Sequence, residues 1–342
     1  MIHEKRTGQR VKVLSQPAAG EREVLCLGET MVLVTPAVGG RLDASSSFVL
    51  RAGGAESNVA MYLSDLGHRS VWLSRIGADP LGELLLGQIG ASGVDTTTVV
   101  LDHRHPTGVY FKDPSPEQTK VFYYRKGSAA THMNRELVET IRASPPKVLH
   151  LTGITPALSS SCRDLIDYLV FERPLGETLI SLDVNYRASL WPSHPGEYLL
   201  SLAQAADVTF VGLDEAEALW GSRSAADVRA TVSSPATLIV KNGGGAATSY
   251  HPDGEDTLAA PRVDIVDPVG AGDAFAAGWL SGMLRGLNQQ NRLRLGHAVA
   301  GVALRSTGDH ATLPPFERLM DPLSFPHDPY DGASANLRSQ GA

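Results

Sequence analysis

Cysteine is almost missing from this chain: Cys26 and Cys162 are its two copies among 342 residues. They stand far apart, without the spacing of a metal-ligand cluster. Cys26 lies in the apolar run Val24-Leu25-Cys26-Leu27, where an inert, buried thiol is the expectation. Such sparing use of cysteine points to a reducing compartment, most simply the cytoplasm. Long apolar runs are also missing, and none approaches the roughly 20 residues needed to span a bilayer. There is no polybasic block, and the formal charge is −7. That balance argues against a nucleic acid or an anionic membrane as the main partner. It leaves room for a small anionic ligand, for which a few placed arginines suffice. Residues 1–23 carry charge, Pro and Gly but no apolar h-region, so a loose N-terminal extension is expected and not a secretory signal. Residues 317–342 are rich in Pro, Asp, Ser and Gly and are expected to be irregular.

What is present is a chain 42% apolar, enough for a substantial core. Short β-branched runs alternate with helical patterns over residues 24–316, the signature of βαβ units and a mostly parallel sheet. The expected strands are Val24–Leu27, Val71–Ile76, Val148–Leu151, Leu179–Asp183, Val208–Val211 and Leu238–Lys241. In Gly53–Gly67, Val59, Leu63 and Leu66 share a helix face and Gly67 suits the position just past its end. One region breaks the alternation. Thr107–Asp113 and Thr119–Lys126 read as two strands joined by the turn-rich Pro114-Ser115-Pro116-Glu117-Gln118. With the extended stretch Met31–Val49, this hairpin (about 105–127) could form a small sheet across the mouth of the main domain. A surface hairpin without a role is the plainer reading. Tyr110, Tyr123, Tyr124 and Arg125 favour a lid that meets ligand.

The densest chemical signal is Val263–Met283. Val263–Val266 reads as a strand and Ala274–Leu284 as a helix, with Asp267-Pro268-Val269-Gly270-Ala271-Gly272-Asp273 between them. A glycine-rich turn feeding a helix offers backbone N–H groups at the positive end of the helix dipole, which suits phosphate. Asp273 stands in the first helical turn. A carboxylate there commonly just stabilises the helix end. Next to a phosphate cradle it is also placed to accept a hydroxyl proton.

Asp267–Leu280 resembles the C-terminal signature of the ribokinase-like (PfkB) carbohydrate kinases. Gly53-Gly54-Ala55-Glu56-Ser57-Asn58-Val59-Ala60, with Leu66-Gly67 and Arg75-Ile76-Gly77-Ala78-Asp79-Pro80-Leu81-Gly82, resembles the N-terminal one. The resemblance covers about Val24 to Pro314. It implies a ribokinase-like three-layer α/β sandwich with a small β lid, and ATP-dependent phosphorylation of a sugar hydroxyl. Asp273 would be the base, and Gly270, Ala271 and Gly272 the anion hole. Mg²⁺ would bridge the ATP phosphates and keep several waters. The family's Asn-x-x-Glu stretch near this metal is matched by Gly212-Leu213-Asp214-Glu215: Glu215 is retained, while Gly212 replaces the Asn. An acidic helix start would read the same way. A monovalent cation such as K⁺ is expected near Asp267. Lys241-Asn242-Gly243-Gly244-Gly245-Ala246-Ala247 resembles the nucleotide loop, giving Lys241, Gly243 and Gly245 cofactor-binding roles; a triple glycine is equally a simple turn. His297 stands at an adenine-side position where a lone histidine is more often structural.

Three pieces bear on the sugar. Gly53-Gly54 lets a hydroxylated ligand approach the backbone. Tyr123 and Arg125 project from one strand face. Asp183-Val184-Asn185-Tyr186-Arg187 follows a strand, where α/β proteins place binding groups. Arginines suit a carboxylate, because the guanidinium fork donates two parallel hydrogen bonds. The segments around Tyr110, Tyr123 and Arg187 are similar to the 2-keto-3-deoxygluconate kinase branch. That match implies that Gly54, Asn58, Tyr110, Tyr123, Arg125 and Arg187 bind the keto-acid, with Asn185 near the phosphates. Other sugar kinases (fructokinase, ribokinase, a related deoxy keto-acid kinase) and a non-catalytic sugar-binding protein are the alternatives. A dinucleotide-binding dehydrogenase is disfavoured, since Leu27-Gly28-Glu29-Thr30 lacks Gly-x-Gly-x-x-Gly. The exposed lid edge could pair with a second subunit, so a homodimer through the lid is expected.

Overall fold

The computed structural model describes residues 22–37, 40–43, 47–114 and 120–321. Residues 1–21 of the expected extension, 322–342 of the expected tail and most of the Pro114–Gln118 turn lie outside them. The strands are β1 (Val24–Leu27), β2 (Met31–Pro36), β3 (Phe48–Gly53), β4 (Ser70–Leu73), β5 (Arg75–Gly77), β6 (Val100–Asp102) and β7 (Val109–Asp113). They continue as β8 (Lys120–Tyr124), β9 (Val148–Thr152), β10 (Leu179–Asp183), β11 (Val208–Gly212), β12 (Thr237–Lys241), β13 (Ala246–His251) and β14 (Gly254–Ala259). The main sheet has eight strands in the order β14-β13-β12-β11-β10-β9-β1-β4, and the lid four in the order β3-β2-β7-β8.

Both faces of the main sheet are covered, which is why the apolar runs read from the sequence are continuous and not alternating. Val24 and Cys26 face one core, shared with Trp72 and Trp279. Leu25 and Leu27 face the other, with Leu149, Leu151 and Leu182. Helices Ala55–Asp65, Ala271–Leu284 and Gln289–Ala303 close the first face; Ser160–Asp167, Gly196–Ala205 and Leu213–Trp220 close the second. This is the expected three-layer α/β arrangement. Gly67 follows the first helix at φ 83°, as its position past the helix end requires.

Three expectations need correction. Val71–Ile76 is not one strand: the chain leaves the main sheet at Ser74, whose carbonyl accepts the Val100 N–H at 3.0 Å, and β5 pairs with β6 instead. Val263–Val266 forms no strand, and Ile265 is 63% exposed. The edge of β12 that such a strand would use is already paired with β13, part of an antiparallel β13–β14 hairpin. Residues 316–320 are not irregular but form the short helix Phe316–Met320, held by the burial of Leu319 and by the Arg285 guanidinium 4.3 Å above the Phe316 ring.

The expected hairpin and extended stretch do join in one sheet, and its two faces differ. Register aligns Leu50, Val34, Phe111 and Phe122 in one row on the outer face, where Leu50 and Phe122 are exposed. The adjacent row brings Leu33, Tyr110 and Tyr123 together on the opposite face, which looks onto the carboxyl ends of the main parallel strands. The lid therefore roofs the end of the sheet where β1, β9, β10, β11 and β12 finish.

Trp279 is fully buried and meets Phe210 edge to face at 5.5 Å, bridging helix Ala271–Leu284 and the sheet. Trp279→Ala is expected to lower unfolding stability by about 3–5 kcal/mol in urea titration; a loss under about 1 kcal/mol would mean that this contact does not anchor the helix.

Candidate active site

Between the lid and the strand ends lies a cavity of about 380 Å³. Asp273 sits at its floor, in the first turn of helix Ala271–Leu284, 9% exposed. Its carboxylate accepts Asn58 Nδ2 at 2.9 Å on one oxygen and Asn185 Nδ2 at 3.3 Å on the other. Asn58 comes from the helix after the lid strand β3, and Asn185 from the loop after β10. Asn185 adopts φ 40°, a left-handed geometry that Asn tolerates better than most residues. Two sequence-distant segments thus fix one carboxylate.

The ordinary aspartate pKa, near ~3.9, does not hold here. Burial pushes Asp273 up to about 7; the Asn58 hydrogen bond opposes the shift, the Asp183 charge adds to it, and Arg187 and Lys241 pull it back. Lys241 Nζ is paired with Asp183 Oδ2 at 2.6 Å. Its ammonium therefore lies inside the cavity beside the turn, rather than following the exposed glycines of its loop. Burial pulls the Lys241 pKa down, but Asp183 and Glu215 outweigh it and leave the group raised.

The turn before Asp273 has the geometry of a cradle. Gly270 lies at φ 83°, and a Cβ there would come 2.6 Å from the Asp309 carbonyl oxygen, so only glycine fits. The first N–H groups of the following helix have no intrahelical acceptors; that of Ala271 donates to the Pro268 carbonyl at 3.3 Å, and Gly270 and Gly272 line the cavity. Across the floor, Gly54 is extended; a side chain there would overlap the Glu29 carbonyl. Glycine at this position answers to space and not to φ.

The lid contributes Val121, Tyr123 and Arg125, alternate residues that all line the cavity. Tyr123 stacks on Tyr110 with ring centroids 5.7 Å apart. Arg125 is ion-paired with the buried Glu29, which also accepts Ser128 Oγ at 3.0 Å. Arg187 is half exposed, 3.6 Å from Glu215 Oε1. Of the two predicted arginines, it is the freer to meet a ligand.

Glu215 lines the cavity too, but both of its oxygens are taken by backbone N–H groups, of Tyr186 at 2.9 Å and Gly212 at 2.8 Å. Gly212, where the family pattern has Asn, caps helix Leu213–Trp220 through this bond. Among the described residues no cluster of three or more metal-ligating side chains forms. Asp267, Ala271, Gly243, Gly245 and His297 are not part of the lining. The His297 ring is buried, 3.1 Å from the Leu258 carbonyl, edge-on to Phe275 and lowered to about 4 by burial.

Four acidic or basic groups escaped the sequence reading. Glu56 is buried and accepts the Thr152 and Thr155 hydroxyls at 2.7 and 2.9 Å; burial raises it to about 7. It lies inside the Gly53–Ala60 segment, as a charge in the first turn of helix Ala55–Asp65. Glu29 follows the first strand, a usual site position. Lys112 and Asp309 meet only through tertiary structure, and no local pattern announces them.

The sequence profile of the pfkB family carbohydrate kinases matches residues 21–315. The 2-dehydro-3-deoxygluconokinase of Bacillus subtilis (strain 168) is 35% identical over 310 residues, 88% of this chain and 95% of that protein. A PfkB protein structure from Polaromonas sp. JS666 is 30% identical and superposes with a TM-score of 0.76, covering 84% of this chain and 97% of that one. A putative ribokinase II from E. coli, solved in complex with ATP and Mg²⁺, shares the fold at a TM-score of 0.76 and 19% identity, over 87% of this chain and 97% of that one. The fold is ribokinase-like, and the chain belongs to the pfkB family of carbohydrate kinases.

Proposed function

We propose that the chain transfers the terminal phosphoryl group of ATP to the 6-hydroxyl of 2-keto-3-deoxygluconate. The observation that carries this reading is a buried carboxylate, Asp273, held by two Asn amides beside a glycine turn at a helix N-terminus. Phosphoryl transfer needs alignment and charge neutralisation above all. Asp273 aligns the acceptor hydroxyl and takes its proton as oxygen bonds to phosphorus; the bond to the bridging oxygen breaks and ADP leaves. The N–H groups around Gly270, Ala271 and Gly272, with the Lys241 ammonium, bind the negative charge of the transferring group. Gly243, Gly245 and His297 lie beyond the cavity, on the nucleotide side of this reading.

The residues fit Mg²⁺ that arrives with ATP better than an ion caged by protein. Glu215, already bound by two N–H groups, would face a hydrated ion through water. Mg²⁺ supplies charge neutralisation of the phosphates.

The sugar assignment rests on Arg187 and Arg125. Arg187 is the half-exposed guanidinium at the cavity wall, suited to the keto-acid carboxylate. Arg125, tied to Glu29, holds the lid face with Tyr123 and Tyr110 over the sugar. The B. subtilis relative bears the name of this activity, which supports the same choice.

Three outcomes are expected. Asp273→Asn should lower kcat by about 10²–10⁴-fold while ATP affinity, read by calorimetry, stays nearly unchanged; lost ATP binding would make the residue structural. Asp273 acts as its carboxylate and its pKa is raised, so the active form is lost as pH falls through about 7. The kcat/KM profile, which reports the free enzyme, should show its acid limb there; full activity down to pH 5 would contradict the assignment. Arg187→Leu should raise KM for the keto-acid about 10- to 100-fold, the worth of a charge-assisted hydrogen bond, with little effect on a neutral sugar. Equal loss on both would remove the carboxylate contact.

A further inference from the structure

Lys112 is the charged side chain that the lid buries most deeply: it is 1% exposed, on β7. Its ammonium leaves the lid and lies between two carboxylates of the catalytic end, Asp267 Oδ2 at 3.0 Å and Asp309 Oδ1 at 2.6 Å. A lysine so enclosed is strongly unfavourable unless its charge is matched, and here two acids match it. Burial pulls its pKa down, but Asp309 and Asp267 more than offset that and leave it raised.

Both acids frame the anion-hole turn. Asp267 opens it and accepts the Val269 N–H on its other oxygen at 3.0 Å. The Asp309 backbone carbonyl is the atom against which Gly270 packs, and its remaining carboxylate oxygen accepts the Tyr110 hydroxyl at 2.5 Å. Two lid residues, Tyr110 and Lys112, therefore grip the support of the turn, and alternation along β7 puts both on its inner face.

A monovalent cation at Asp267, which the family resemblance implies, does not fit this arrangement. One Asp267 oxygen is taken by the ammonium and the other by a backbone N–H. A second cation placed there would also meet the Lys112 charge at close range. We infer that Lys112 is a positioning residue whose tethered ammonium takes the place of a free monovalent cation behind the anion hole. It ties the turn's geometry to the seated lid and makes the enzyme indifferent to K⁺. The inference rests on reading Gly270–Gly272 as the anion hole.

The test compares the full-length enzyme in KCl, NaCl and tetramethylammonium chloride at equal ionic strength, by sugar-dependent ADP release and by Tm. Wild type should vary less than about twofold in kcat and show no saturable rise of Tm with K⁺. Lys112→Ala should lose about tenfold or more in kcat with a smaller change in KM for ATP, and should regain part of it, saturably, with K⁺ or ammonium. Should that variant not fold, Lys112→Arg, which keeps the charge on a different geometry, should lose kcat and remain indifferent to K⁺. A wild-type enzyme that K⁺ activates or stabilises saturably would overturn the inference, as would full activity in Lys112→Ala. The Tm titration needs no sugar, so it stands apart from any failure of the substrate assignment.

Discussion

Everything at this site depends on keeping one carboxylate out of water. Asp273 is buried under the lid at a helix N-terminus, and desolvation raises its pKa to about 7. A carboxylate held near the operating pH is a better proton acceptor than an ordinary one, while a surface aspartate would gain nothing from its neighbours. The cost of burial is met locally, by the Asn58 and Asn185 amides and by the helix end. Remove the roof and the floor returns to water.

The architecture serves that burial from three directions. The parallel strands deliver Asp183, Asn185 and Lys241 to one end of the sheet. The lid brings Tyr123 and Arg125 over that end, with Glu29 pairing Arg125 from the start of the lid connection. The turn at Gly270 closes the third side, packed on Asp309, which is gripped in turn by Tyr110 and Lys112. Charges of both signs face the cavity: Asp183 is paired with Lys241 and Glu29 with Arg125, while Glu56 is held by the Thr152 and Thr155 hydroxyls on one oxygen. The same network explains why the lid and the turn at Gly270 are coupled: each supplies the partners of the other.

Much of this was legible in the sequence. The apolar runs located the buried strands, since a two-faced sheet needs continuous hydrophobicity. The glycines at 53, 54 and 270 marked backbone positions that tolerate no side chain or need an unusual φ, whereas a side chain at Gly272 would meet only an ordinary contact with Lys241. Tyr123 and Arg125 could be paired from strand alternation alone. Other parts were hidden for physical reasons. Val263–Val266 has strand-like residues, but its place beside β12 is taken by a hairpin whose turn, Pro252-Asp253-Gly254, carried its own turn signature. The raised pKa of Asp273 follows from burial, which spacing does not report. Lys112 and Asp309 lie nearly 200 residues apart, and their ion pair exists only because the lid folds over.

We propose that this cavity phosphorylates a sugar acid. Its most direct test offers the purified enzyme ATP and Mg²⁺ with 2-keto-3-deoxygluconate, its C4 epimer, fructose and ribose, following ADP release and locating the phosphate by NMR. The keto-acid should show the highest kcat/KM, with phosphate on the C6 oxygen. Absence of sugar-dependent ADP release, or a preference for a neutral sugar, would contradict it.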